Sequence, residues 1–157
     1  MKKSLIVFSL FSLFLSQGIL ADDNCIVVGY HEPNTQTYDG PTFCKSVSIK
    51  NIIVYGPLTT NQTKLLGKIT IRGTMTVDQS HIRGNTTISG PIFSTDSTFQ
   101  KITVENNYSQ GYVTLKNTII KGPLVFKGQS GIVCKDNNSM LLGGIVNGEV
   151  DQNCSAK

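Results

Sequence analysis

Apolar residues along this chain are not spaced for a helix. From about residue 40 they fall into short apolar–polar alternations, rich in Val, Ile and Thr and none longer than about five residues. Ile52-Ile53-Val54, Ile69-Thr70-Ile71, Thr86-Thr87-Ile88, Ile102-Thr103-Val104 and Thr118-Ile119-Ile120 are each followed within two residues by Gly or Asn. An amphipathic helix needs about ten or more residues of 3.6-residue period, and no segment supplies it. The alternations read as strands.

The strands recur with a period. Gly40-Pro41, Gly56-Pro57, Gly73-Thr74, Gly90-Pro91 and Gly122-Pro123 are separated by 16, 17, 17 and 32 residues, the last gap reading as two periods. So short a unit cannot be a domain; it must bury its apolar face against copies of itself. The predicted fold is all-β, a single-domain parallel β-solenoid of about six triangular coils of 16–17 residues. An antiparallel sandwich also uses short strands, but has no reason to keep a constant phase. Inside the rod, Leu58, Met75, Ile92 and Leu124 are expected to stack in one column, and Ile49, Leu65, Ile82, Phe99 and Leu115 in another. Asn51, Gly67, Gly84 and Asn117 mark a corner expected to need positive φ, with Lys101 breaking the pattern. At ~4.8 Å per coil, six coils make a rod about 29 Å long.

The first residues change the picture of where such a rod works. Met1-Lys2-Lys3, an apolar run from Leu5 to Leu15, and Ile19-Leu20-Ala21 before Asp22 have the layout of a secretory signal peptide over residues 1–21. The apolar run is shorter than the about 20 residues needed to span a bilayer, so no membrane span is expected. Residues 22–39 are then an N-terminal cap, 40–137 the solenoid and 138–157 a C-terminal cap. Four cysteines suit a periplasmic or extracellular destination. Cys25 and Cys44 lie at one end of the rod, Cys134 and Cys154 at the other. A disulfide spans only about 4.4–6.8 Å between Cα atoms, so the predicted pairs are Cys25–Cys44 and Cys134–Cys154.

Candidate chemistry is sparse. Neither His31 nor His81 stands beside an obvious nucleophile, and no catalytic or cofactor signature is found. Asn61, Asp78 and Asp96 fall at nearly one phase of successive coils, a possible Ca²⁺ row or a set of Asx turns. Net charge is +4, or +2 without Lys2 and Lys3, which makes no case for nucleic acid. The cations are nevertheless patterned. Lys50, Arg83 and Lys116 are expected to share one corner column, with Lys68 and Lys101 close by. Such a stripe suits an acidic glycan, lipopolysaccharide phosphates or an anionic host surface. It also suits a rod that needs only solubility and protected edges.

On the 16–17-residue coil, the Gly-led turns and the aliphatic columns of residues 40–137, the chain resembles short right-handed β-helix proteins such as bactofilins. Bactofilins are typically cytoplasmic polymers without disulfides. The leader and flanking cysteines here imply capped ends instead, and hence a monomer or weak self-association. The expected function is that of a secreted, non-enzymatic surface-binding or structural protein, of the kind a bacterium exports to an envelope or host surface. The alternative is a small carbohydrate-active enzyme, of lyase or hydrolase type, using Asp78 and Asp96.

Overall fold

Three strand-forming segments per repeat give three flat faces, and the chain winds through them in order. The computed structural model describes residues 25–27, 37–106, 109–151 and 153–154, a parallel β-solenoid of about seven turns. The first face stacks Thr42–Lys45, Leu58–Asn61, Met75–Asp78, Ile92–Thr95, Gly111–Lys116, Gly131–Lys135 and Gly148–Val150, each pairing in parallel with the next. The second face is narrow. It stacks two-residue segments beginning at Ser48, Lys64, His81, Thr98, Ile119 and Met140. The third runs from Thr37–Asp39 through Ile52–Tyr55 and Ile69–Ile71 to Leu124–Gly128 and Ile145–Val146. Two strands, His81–Ile88 and Thr98–Asn106, turn the corner between the second and third faces without a break.

Like stacks on like inside. The first face contributes Leu58, Met75, Ile92, Val113 and Val133, all fully buried. The second contributes Ile49, Leu65, Ile82, Phe99 and Ile120, and the third Ile52, Ile69, Ile102 and Leu124 with buried Thr86 among them. Two expected column members therefore move. Ile120, not Leu115, follows Phe99, while Leu115 stacks on Ser94 of the first face. Leu124 belongs to the third face, and Val113 takes its expected place above Ile92.

The displacement has one cause. The glycine that opens the first face continues from Gly40, Gly56, Gly73 and Gly90 into Gly111, Gly131 and Gly148, at gaps of 21, 20 and 17. In the fourth coil six residues stand in the sequence between Val104 and Gly111, where the third has Ser89 alone between Ile88 and Gly90, so its period lengthens. Gly122 is not a member of this column. It lies over the Gln100 carbonyl at the corner between second and third faces, with Gly143 beyond it.

At that corner Asn51, Gly67 and Gly84 do not take positive φ, contrary to expectation, though Gly144 in the last coil does, at 72°. A Cβ on Gly84 would overlap the Gly67 carbonyl oxygen, so glycine is needed there for close approach of backbones. The first and fourth coils have one residue fewer at the corner, which is how Asn51 and Lys101 can stand where other coils have glycine nearby. Among non-glycine residues positive φ recurs from coil to coil between the first and second faces, at Ser46, Gln62, Gln79, Asp96 and Asn117, with values of 46–56°.

The residue after each of the last four is a buried hydroxyl: Thr63, Ser80, Ser97 and Thr118, followed one coil later by Ser139. The Thr63 N–H donates to Ser80 Oγ, Ser80 N–H to Ser97 Oγ and Thr118 N–H to Ser139 Oγ, each at 3.0 Å. The hydroxyls of Thr63, Ser80, Ser97 and Thr118 donate in turn to the carbonyl two residues earlier, at 2.6–3.0 Å. The turn thus satisfies its buried polar groups from within.

The ends are stapled as the cysteine positions predict. Cys25–Cys44 and Cys134–Cys154 are disulfides with Cα separations of 4.3 and 5.6 Å. Ile26–Val27 lies antiparallel on Thr42–Phe43 and covers that edge of the first face. At the other end the parallel stacking passes the expected boundary at residue 137 and continues to Val150, so much of the segment read as a cap is another coil. Two disulfides point to an oxidising, extracytoplasmic environment. Among the described residues no helix is long and apolar enough to cross a membrane. The leader at 1–21 and His31 lie outside the described residues.

Candidate functional site

The second face ends in a corner where each of five consecutive coils places one cation. Register puts Lys50, Leu66, Arg83, Gln100 and Lys121 one position beyond the buried column of Ile49, Leu65, Ile82, Phe99 and Ile120. Lys68 and Lys101 precede Ile69 and Ile102 in the next column. The cations therefore zigzag along the edge as Lys50, Lys68, Arg83, Lys101 and Lys121, about one every 4.8 Å of axial rise. Lys101 is half-buried and the other four are exposed. Lys64 and His81, adjacent in register, add to the same face.

Four of the five expected members of this row are in place and one is not. Lys116 pairs with Thr95 on the first face, in the column of Lys45, Asn61 and Asp78. Lys121 stands where Lys116 was expected. The five-residue error is the same one that exchanged Leu115 for Ile120, since both come from taking Gly122 as the next marker. Alignment on Gly111, Gly131 and Gly148 would have found Lys121.

Charge on this face has one sign. From the outward residues of the second face to the end of the corner, no described coil carries Asp or Glu. The ion pair among the described residues, Lys127 to Glu105 at 3.5 Å, is on the third face. Midway along the row, His81, Arg83, Thr98, Gln100, Ile119 and Lys121 line an open hollow of about 380 Å³. Arg83 and Lys121 flank Gln100 there, two coils apart. This arrangement can hold an anionic group between two donors while neighbouring cations meet the next groups of an extended polymer.

The carboxylate row is not assembled as one ligand set. Asn61 Nδ2 donates to Asp78 Oδ2 at 2.6 Å within one column. Asp96 stands in the adjacent column, at φ 48°, and accepts from Asn117 Nδ2 at 2.6 Å. Among the described residues no three His, Cys, Asp or Glu side chains gather as metal ligands. Asp136 behaves similarly at the same edge, accepting from Ser139 Oγ at 2.5 Å and from the Asn117 N–H. The Ser139 hydroxyl is the main reason its carboxyl is held below the ordinary value of 3.8; burial opposes this, and backbone N–H groups, Asn117 first, add to it.

Comparison of the chain with protein-family models, curated proteins and solved structures gives no match. Function must therefore be argued from the site.

Proposed function

We propose that this protein is an exported, non-enzymatic surface-binding protein whose basic face engages an anionic glycan or phosphate-bearing polymer. The observation that carries the reading is the zigzag of Lys50, Lys68, Arg83, Lys101 and Lys121, with no carboxylate on the described part of that face. A solubility role alone would be served by mixed charges on all three faces. The narrow second face keeps the cations in a single zigzag row along one edge, which matches an extended chain of anionic groups better than a compact ligand. Lipopolysaccharide phosphates and acidic host glycans share the needed chemistry. Likeness to bactofilins extends to the β-helix architecture and lends no function of its own.

The test is retention on immobilised heparin, and on lipopolysaccharide, over a salt gradient. Arg83→Gln with Lys121→Gln should elute well before the parent, while Lys45→Gln with Lys116→Gln, an equal change in net charge on another face, should elute near it. Retention should fade as the Debye length shrinks from about 10 Å at 0.1 M to about 3 Å at 1 M. Equal losses from the two pairs would reduce the effect to net charge and remove the site.

A further inference from the structure

The corner that carries the cations has two outward columns, and charge alternates between them. One column, just beyond the second face, reads Lys50, Leu66, Arg83, Gln100 and Lys121 in successive coils. The other, just before the third face, reads Asn51, Lys68, Asn85, Lys101 and Pro123. Each of these coils therefore puts a cation in one column and an uncharged residue in the other, and the side changes from coil to coil. Where three residues make the corner, the middle one is Gly67, Gly84 or Gly122, so no side chain stands between the columns.

That pattern sets two requirements on a ligand. Its anionic groups recur once per coil, ~4.8 Å apart along the edge, and they point alternately to opposite sides. A polymer with one anion for every two coils would meet a single column, that of Lys50, Arg83 and Lys121. A phosphate cluster on a compact headgroup would meet one or two coils and leave the rest of the row unused. Among the described residues, no carboxylate on this face competes for the cations.

We propose that the ligand of this row is a β-(1→4)-linked polyuronate, a glycan with one carboxylate on every sugar; the inference rests on the basic-row reading above and narrows it. A pyranose linked at both ends through equatorial bonds is extended and advances by close to one coil per sugar. In such a ribbon each ring is turned over relative to the last, which sends successive carboxylates to opposite edges. Each carboxylate then meets one cation, alternately in the two columns, and Arg83 can offer paired N–H donors. The amides of Asn85 and Gln100 stand across the corner from Arg83 and Lys101, where they suit sugar hydroxyls that both donate and accept. Axial linkages give a shorter, buckled chain whose carboxylates fall out of step with the coils.

The test is fluorescence polarisation of end-labelled oligosaccharides on the disulfide-bonded protein. A β-(1→4)-mannuronate hexamer should bind at least about tenfold tighter than an α-(1→4)-guluronate hexamer, which has the same composition and charge but axial linkages. It should exceed by a similar factor a hyaluronate fragment of equal charge, which carries one carboxylate per two sugars. Lys68→Gln with Lys101→Gln should weaken mannuronate binding about as much as Arg83→Gln with Lys121→Gln, since the two columns serve alternate sugars. Adding Leu66→Lys and Gln100→Lys to Lys68→Gln and Lys101→Gln brings five cations into one column at unchanged net charge, and none of these positions is buried. That straightened row should keep heparin retention and lose the preference between the two hexamers. The proposal is overturned if the parent binds both hexamers alike, or if the straightened row keeps the parent's preference. The parent's comparison decides by itself if the straightened variant does not fold. Equal hexamer binding, with heparin retention still lost in Arg83→Gln with Lys121→Gln, would leave the basic row as an anion site and remove only its match to alternating carboxylates.

Discussion

The two edges of the second face are built from the same repeat and do opposite things. At the edge shared with the first face, the polar side chains have partners within the rod. Ser80 Oγ accepts from the Thr63 N–H of one coil and donates within its own, Gln62 Nε2 reaches Gln79 Oε1 at 3.2 Å, and Asn117 holds Asp96. At the edge shared with the third face, the corner is closed by glycine backbone, and cations project with no described carboxylate in reach. The difference teaches where to look for function in a solenoid. A polar residue that repeats with the coil and bonds its own copies is part of the fold. One that repeats and meets only its like is available to a partner.

The largest effect should come from breaking the wall between these edges. Ile82 is 1% exposed at the centre of the second-face column, and Ile82→Asp places an unpaired charge there. The cost is several kcal/mol, comparable with the whole stability of a small domain, so no cooperative melt is expected. Leu66→Asp, outward on the same face and already 43% exposed, should fold. If the Ile82 variant melts like the parent, inward and outward have been confused.

Next in size is the sealed edge itself. Ser80→Ala leaves the Thr63 N–H and the Asp78 carbonyl each without the bond that Ser80 supplies. A buried group stripped of its partner costs about 1–3 kcal/mol, which should lower Tm by roughly 3–10 °C. Ser80→Thr keeps an Oγ and should recover much of the loss. An unchanged Tm for Ser80→Ala would show that the hydroxyl ladder decorates the turn without stabilising it.

How much of this was legible depends on the coil. Gly40, Gly56, Gly73 and Gly90 carry the period openly, so the solenoid, its early columns and both disulfides follow from spacing and reach. After Gly90 the five extra residues between Val104 and Gly111 break the phase, and Gly122-Pro123 imitates the marker while serving another corner. Lys121 was missed for that reason. The positive-φ corner was hidden differently: Ser46, Gln62 and Gln79 adopt it without being Gly or Asn, because neighbouring coils fix the backbone.

A smaller effect sits at the Asp136 end of the sealed edge. Its folded pKa is lowered, chiefly by the Ser139 hydroxyl, so the carboxylate contributes stability above the ordinary value of 3.8. That contribution is lost as pH falls through the lowered folded value. Asp136→Asn should therefore be slightly less stable than the parent near neutrality and converge with it in acid. Parallel Tm curves from pH 7 down to about 2 would assign the carboxylate no such role.

The smallest expected effect on stability belongs to the open edge, and its sign is the opposite. Arg83 and Lys121 lie about 9–10 Å apart on one line, with Lys101 between them in the next column. Two like charges at that distance in water repel by ~0.4 kcal/mol before screening, and neither has a described carboxylate to offset it. Replacing both with Gln should therefore leave Tm unchanged at 0.15 M salt and raise it slightly in low salt, where screening is weak. Ser80→Ala should lower Tm by nearly the same amount at every salt concentration, because it breaks neutral hydrogen bonds. The two variants thus separate the edges by the sign and salt dependence of ΔTm. If Arg83→Gln with Lys121→Gln lowers Tm as Ser80→Ala does, the cations are holding the rod together and are not free for a ligand.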